Sequence, residues 1–334
     1  MLTDIAYIAA IVVVAYAFDF LNGFHDAANA ISTVVSTRVL SPWNAVILAA
    51  FFNFIAFVVF GVEVAGTVGS GIVNPHVVDA NVVLGGLVGA IFWDILTWRL
   101  GLPTSSSHAL IGGLVGASVA KAGSSVVLWP GLSKVVSFMV LSPLVGMAAA
   151  FALSIAVAWL FRRSTSSTVN RYFKKLQLVS ASLFSLSHGT NDAQKTMGIV
   201  TVLLFSVGYV SSPALPPLWV VLAAHASIAM GTAFGGWRIV KTMGMRITKL
   251  QPFNGFCAET AGGATIIGSS LLGIPVSTTH VISGAIMGVG AMRRLSAVRW
   301  GVARRIVWAW LVTIPACALV ASLGYFLASS FVHL

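Results

Sequence analysis

Apolar residues fall into ten long runs, at approximately 5–36, 44–62, 81–98, 101–120, 135–161, 177–205, 216–236, 253–272, 275–291 and 306–328, joined by short polar connections. A helix that crosses a bilayer needs roughly 20 apolar residues, and each run is of that order. The pattern predicts an all-α polytopic membrane protein of about ten segments, with no room for a separate water-soluble domain. The first run follows Met-Leu-Thr-Asp4 without the basic leader of a signal peptide, so it is expected to be a true span. A second reading folds 81–98 and 101–120 into one re-entrant hairpin.

Composition agrees. Hydrophobic residues make up 58% of the 334 and charged residues 8%, where a soluble domain carries about 25% charged residues. The net charge of +11 would suit a nucleic-acid partner, but its distribution does not. With the N-terminus outside, the inside loops hold sixteen of the nineteen Lys and Arg residues: Arg38, Arg99, five in 162–176, four in 237–252 and five in 292–305. The outside loops hold Lys121 and Lys134. This asymmetry sets orientation and places basic loops against anionic headgroups of the lipid bilayer. It predicts no nucleic acid, a multi-pass protein of the cell membrane, and both termini outside. Cys257 and Cys317 lie in apolar runs and read as small buried side chains.

The chain repeats itself. Gly101-Leu-Pro103-Thr104-Ser105-Ser106-Ser107-His108 recurs as Gly273-Ile-Pro275-Val276-Ser277-Thr278-Thr279-His280. Earlier in each half, Gly23-Phe-His25-Asp26-Ala-Ala-Asn29 recurs as Gly189-Thr-Asn191-Asp192-Ala-Gln-Lys195. Two motifs in the same order predict a first repeat at 1–161, a cytoplasmic linker at 162–176 and a second repeat at 177–334. Loop 63–79 has no basic residue, whereas its counterpart 238–249 has four. Equivalent loops then face opposite sides, which makes the repeats inverted, as in many secondary transporters.

Ionisable residues inside apolar runs are costly and usually functional. Here they are Asp19, His25, Asp26, Asp94, His108, His188, Asp192, Lys195, His225, Glu259 and His280. Asp26 and Asn29 are three apart and share a helix face. Asn22, Gly23 and Gly189 are expected to weaken the helices there, and a break would free carbonyls for a cation. Pro103 and Pro275 with their hydroxyl runs predict helix N-termini near 104–107 and 276–279. Such ends bind anions through free N–H groups and a partial positive charge, so two of them could converge on one tetrahedral anion. His108 and His280 either reach that anion or hold their hairpins. Lys195 takes the place of Asn29 in the second motif, so its ammonium is expected to compensate Asp192 and fill one of two cation sites. Glu259, opposite Leu87 in the repeat, is an unpaired acid and a further proton or cation candidate. Gly112, Gly116, Gly284 and Gly288 have the spacing of close helix contacts. A channel would need a continuous polar lining, a membrane enzyme one asymmetric constellation, and a primary pump an ATP-binding motif, and none of these is present. No catalytic residue and no cofactor are expected.

These motifs, in order along nearly the whole chain, resemble the inorganic phosphate transporter (PiT) family, most closely its short prokaryotic members. The resemblance implies phosphate symport with protons or sodium, inverted repeats and a homodimer. It implies that Ser105, Ser106, Ser107, Ser277, Thr278 and Thr279, with His108 and His280 as candidates, take phosphate, alone or as a metal–phosphate. It likewise implies that Asp26, Asn29, Asn191 and Asp192 serve cation coupling, with sodium at Asp26, Asn29 and Asp192. Another tetrahedral oxyanion, such as sulfate, is the alternative cargo. Sulfate carries no proton at neutral pH, so the abundance of buried acids favours phosphate, which can donate one to them.

Overall fold

The computed structural model describes residues 2–59 and 61–331. Among them the chain is helical, with no strand beyond an isolated antiparallel bridge between Val73 and Val127. In the first half, α1 is Leu2–Ser36, α2 Pro42–Ile55, α3 Glu63–Ser70, α4 Ala80–Leu100, α5 Ser106–Ala122 and α6 Trp129–Leu160. In the second, α7 is Ser166–Ser206, α8 Leu218–Phe234, α9 Trp237–Lys241, α10 Pro252–Leu271, α11 Thr278–Arg293 and α12 Trp300–Phe331. Each half runs through a long helix, an interrupted one, a hairpin and a long helix with an internal proline, Pro143 or Pro315.

All ten predicted runs are helical over most of their length, but fewer qualify as spans. Four helices, α1, α4, α6 and α12, are long and apolar enough to cross a membrane alone, or up to six spans if α2 with α3 and α8 with α9 each form one bent span. The hairpin helices α5 and α11 have 17 and 16 residues, about 24–26 Å at 1.5 Å per residue, short of a ~30 Å hydrocarbon core. Helix α7 has 41 residues, but its many polar side chains dilute the apolar signal. Residue 60, within the run 44–62, lies outside the described residues. So do Met1 and 332–334, where the expected positions of the termini fall.

Two local expectations need correction. The helices do not break at the first motif: α1 and α7 are continuous through Gly23 and Gly189. These glycines instead admit neighbouring backbones. A Cβ on Gly189 would stand 2.7 Å from the Asn53 carbonyl oxygen of α2, and one on Gly23 would collide with the Ile228 carbonyl of α8. Residues 166–176 of the expected linker are the mostly exposed first turns of α7. Thr165 caps them by accepting from the Thr168 N–H at 3.3 Å.

The halves interlock. Gly112 and Gly116 of α5 lie against the backbone of α12 at Ile314 and Ala318, while Gly284 and Gly288 of α11 lie against α6 at Pro143 and Met147. Each hairpin therefore packs on the last long helix of the opposite half, at the small-residue spacing the sequence shows. Two apolar clusters fill the interior. One takes α1 up to Phe18 and α7 from Ala193 onward. The other takes α1 from Ala28 and α7 up to Phe184. Between them lies a polar layer: residues 19–26 of α1, 185–192 of α7, and the hairpin tips.

Candidate functional site

The tips are built from their own sequence. Gly101 and Gly273 close α4 and the C-terminal turn of α10 with φ of 65° and 63°, a left-handed conformation that costs a side chain energy. The chain then runs extended through Pro103 and Pro275, which lie before the helices and not in their first turns. Ser105 has extended backbone and accepts from the His108 N–H at 3.2 Å, and Ser277 accepts from the His280 N–H at 3.1 Å. Both hairpin helices thus begin where the hydroxyl runs place them, each capped at its N-terminus. Remaining N–H groups of each first turn point out of the helix end, the usual anion-binding feature.

Lys195 brings the two ends together. Its ammonium donates to Ser107 Oγ of α5, to the Val276 carbonyl before α11 at 2.8 Å, and to Asp192 Oδ1 one turn back on α7. Asp192 Oδ2 accepts from the Thr278 hydroxyl at 2.8 Å, and His188 Nε2 stands 3.1 Å from the same oxygen. From α1, the Asn29 amide donates to the hydroxyls of Thr279 at 2.9 Å and Thr278 at 3.3 Å, and Thr279 donates to Asp26 Oδ1 at 3.3 Å. Asp26, Asn29, Asp192, Lys195, Ser107, Thr278 and Thr279 therefore form one connected cluster. All are buried, the most open being Ser107 at 3%. The site is closed to both sides in this conformation.

Other predicted residues lie around or away from this cluster. His280 stacks on Trp310, with centroids 3.9 Å apart, and its Nδ1 lies 3.3 Å from the Met139 carbonyl. Trp310 in turn donates to the Pro103 carbonyl at 2.9 Å. His108 meets His280 edge to face at 4.8 Å. The two rings join the hairpins behind the tips, which favours the holding role for His280. Ser106 and Thr104 bury hydroxyls with no hydrogen bond. Asn191 turns to α10, donating to Ser270 Oγ at 2.7 Å. Glu259 sits elsewhere: it accepts from Gln177 at 2.9 Å and from Ser180. Ser180 and Asp192 are twelve residues apart on α7, about 18 Å along the axis.

Some residues matter more than their sequence reading indicated. His25 contacts Asp26 Oδ1 at 2.9 Å and Thr97 at 3.1 Å. Asp26, His188 and Asp192 offer ligand atoms all within 4.8 Å of one another, a grouping able to hold a metal ion. His188 was discounted because the repeat gives it no matching histidine. Asn53, which holds His188 from α2 at 3.2 Å and donates to Thr232 at 2.8 Å, left one signal: a lone amide in an apolar run. Among the described residues, five buried carboxyl groups (Asp19, Asp26, Asp94, Asp192 and Glu259) face one buried ammonium, Lys195. Isolated charges are expensive in a dry interior, so this surplus calls for protons or bound cations.

The sequence matches the Phosphate transporter family over residues 22–168 and again over 161–321. It is 59% identical over 318 residues to a Rhizobium meliloti protein described as a "Probable low-affinity inorganic phosphate transporter", covering 95% of each chain. A Bacillus subtilis protein with the same description is 43% identical over 319 residues, covering 95% of this chain and 96% of that one. The fold is similar to that of a solved structure described as "The sodium-dependent phosphate transporter", with a TM-score of 0.89 at 24% identity, covering 98% and 100% of the two chains. Its relatives are transporters and not enzymes, and its apolar helices make it an integral membrane protein. The chain belongs to the phosphate transporter family.

Proposed function

We propose that this protein is a secondary symporter that carries inorganic phosphate across the cell membrane between the two hairpin tips, driven by protons or sodium. The observation that carries this reading is the meeting of two capped helix N-termini at Lys195. One tetrahedral anion can accept N–H donors from both ends and hydroxyl donors from Ser105–Ser107 and Ser277–Thr279. The carboxyls of Asp26 and Asp192 beside it favour a protonated oxyanion, which donates to them, over sulfate, which cannot.

Cation coupling falls unevenly on the two motifs. Asn29 Oδ1 is buried without a partner on the face it shares with Asp26, and a carboxylate with an amide oxygen is a donor set for a hard cation. On the α7 side the Lys195 ammonium occupies Asp192. Sodium therefore fits at Asp26 and Asn29, and Lys195 stands in for a second ion at Asp192. Asn191 supports the α7 site through α10, and Glu259 serves as a separate relay at its own network. The repeats are inverted and rock about the polar layer, since the closed cluster must open to each side in turn. The chain works as a homodimer with both termini outside.

Radiolabelled phosphate uptake into liposomes holding the purified protein tests the reading. Sodium and proton gradients are imposed separately, with excess sulfate as competitor. Uptake driven by one gradient and indifferent to sulfate supports it. Uptake that sulfate abolishes transfers the site to the wider oxyanion class.

A further inference from the structure

Helix α1 carries a polar stripe that extends past the site just described. Tyr16, Asp19, Asn22, Asp26 and Asn29 follow one another at spacings of three and four, so they share one face. Asp26 and Asn29 are engaged at the hairpin tips. Asp19 is not: it lies two turns nearer the start of α1, about 10 Å along the axis.

Asp19 is fully buried at 0% exposure, and neither of its oxygens makes a hydrogen bond. The polar groups against it are the Thr196 hydroxyl from α7 and the Asn22 side chain. Thr196 Oγ1 and Asn22 Oδ1 are themselves buried without partners, and the residues are 0% and 2% exposed. One turn before, the Tyr16 hydroxyl is also buried and unpartnered. Two carboxylate oxygens, an amide oxygen and two hydroxyls thus gather between α1 and α7, close together yet unbonded.

That spacing is informative. Hydrogen-bonded oxygens approach to about 2.7–2.8 Å. Oxygens sharing a cation at ~2.4 Å stand farther apart, roughly 3.4 Å for adjacent ligands of an octahedral shell. A buried carboxylate with no donor is also among the costliest groups a protein can keep. The charged neighbours are Asp192 and Lys195, and Lys195 already spends its donors on Asp192, Ser107 and Val276.

We propose that Asp19, Asn22 and Thr196, with Tyr16, form a binding site for a monovalent hard cation of sodium's size, separate from the hairpin tips. The donor set is all oxygen, which disfavours softer transition metals. A single carboxylate balances one positive charge and leaves a divalent ion unneutralised. The site spans α1 and α7, the two helices that also hold Asp26 and Asp192, so an ion there ties the two motifs in one relative position. This proposal does not depend on which anion the tips carry.

The test is 22Na+ binding to the purified full-length protein in phosphate-free buffer, with thermal unfolding recorded with and without sodium. Wild type is expected to bind sodium saturably and to be stabilised by sodium over choline. Asp19→Asn is expected to bind one ion fewer per chain, and Thr196→Val to bind that ion about tenfold more weakly. In choline, Asp19→Asn should unfold no earlier than wild type, because it removes an unpaired buried charge. Wild-type protein with no saturable sodium site overturns the proposal, and so does Asp19→Asn with the wild-type number of sites. Because no phosphate is present, failure here leaves the transport reading standing, and failure of phosphate uptake leaves this one.

Discussion

Replacing Lys195 probes the account where structure and energetics meet. The side chain is 1% exposed and donates to both hairpins and to Asp192. Lys195→Met keeps the length but leaves the Asp192 carboxylate with only Thr278 and His188 nearby. Breaking a buried charge pair from one side costs about 3–5 kcal/mol. At about 2 °C per kcal/mol for a chain of this size, that is a loss of roughly 6–10 °C in the unfolding midpoint. Lys195→Asn recreates the pattern of Asp26 and Asn29, so a cation can take the place of the ammonium. Its stability should recover in sodium but not in choline. The transport consequence is quantitative. With membrane potential clamped to zero, each additional coupled ion multiplies phosphate accumulation by the cation ratio. In a tenfold sodium gradient one further ion raises accumulation about tenfold, or ~1.4 kcal/mol. The assay is equilibrium phosphate accumulation in proteoliposomes for wild type and Lys195→Asn. An unchanged ratio in the variant refutes the idea that the ammonium stands in for an ion.

Further outcomes follow from packing and capping. Ser105→Ala and Ser277→Ala each remove one N-cap acceptor and should lower stability by about 1 kcal/mol, read as additive shifts in thermal unfolding. Gly284→Val should abolish the monodisperse folded fraction on size-exclusion chromatography, because a Cβ there would sit 2.9 Å from Pro143 Cα. Gly268→Ala, with nothing within 4 Å, should be neutral. Glu259→Gln should keep equilibrium phosphate binding within about twofold of wild type, since independent sites more than ~10 Å apart couple weakly, while altering the cation dependence of uptake. Loss of phosphate binding in that variant would join Glu259 to the tips after all.

The sequence carried the hairpin tips well because they depend on local chemistry. Caps, prolines and hydroxyl runs act within a turn, so Ser106 and Thr278 as helix starts were legible to within two residues. The fate of Gly23 and Gly189 was not. A glycine in a helix reads as a weak point until the backbone it admits is seen, and those partners, Ile228 and Asn53, lie more than a hundred residues away. Span number suffered for a related reason. Length in apolar residues does not show that α5 and α11 turn back inside the protein. Lys195 was legible as the neutraliser of Asp192, being three residues away on one helix. Its bonds to Ser107 and Val276 were not, because they require the two hairpins to meet. His188 was undervalued because repeat symmetry was used as a filter, although its contact with Asp192 is a local one at i and i+4.

The central claim is that the anion lies between the two capped helix ends. An experimental structure of the protein in phosphate tests it most directly. The account predicts tetrahedral density within hydrogen-bonding distance of the first-turn N–H groups of both α5 and α11, beside Asp26 and Asp192. Density confined to the basic cleft of Lys249, Arg293, Arg294 and Arg299, with none at the tips, would contradict it.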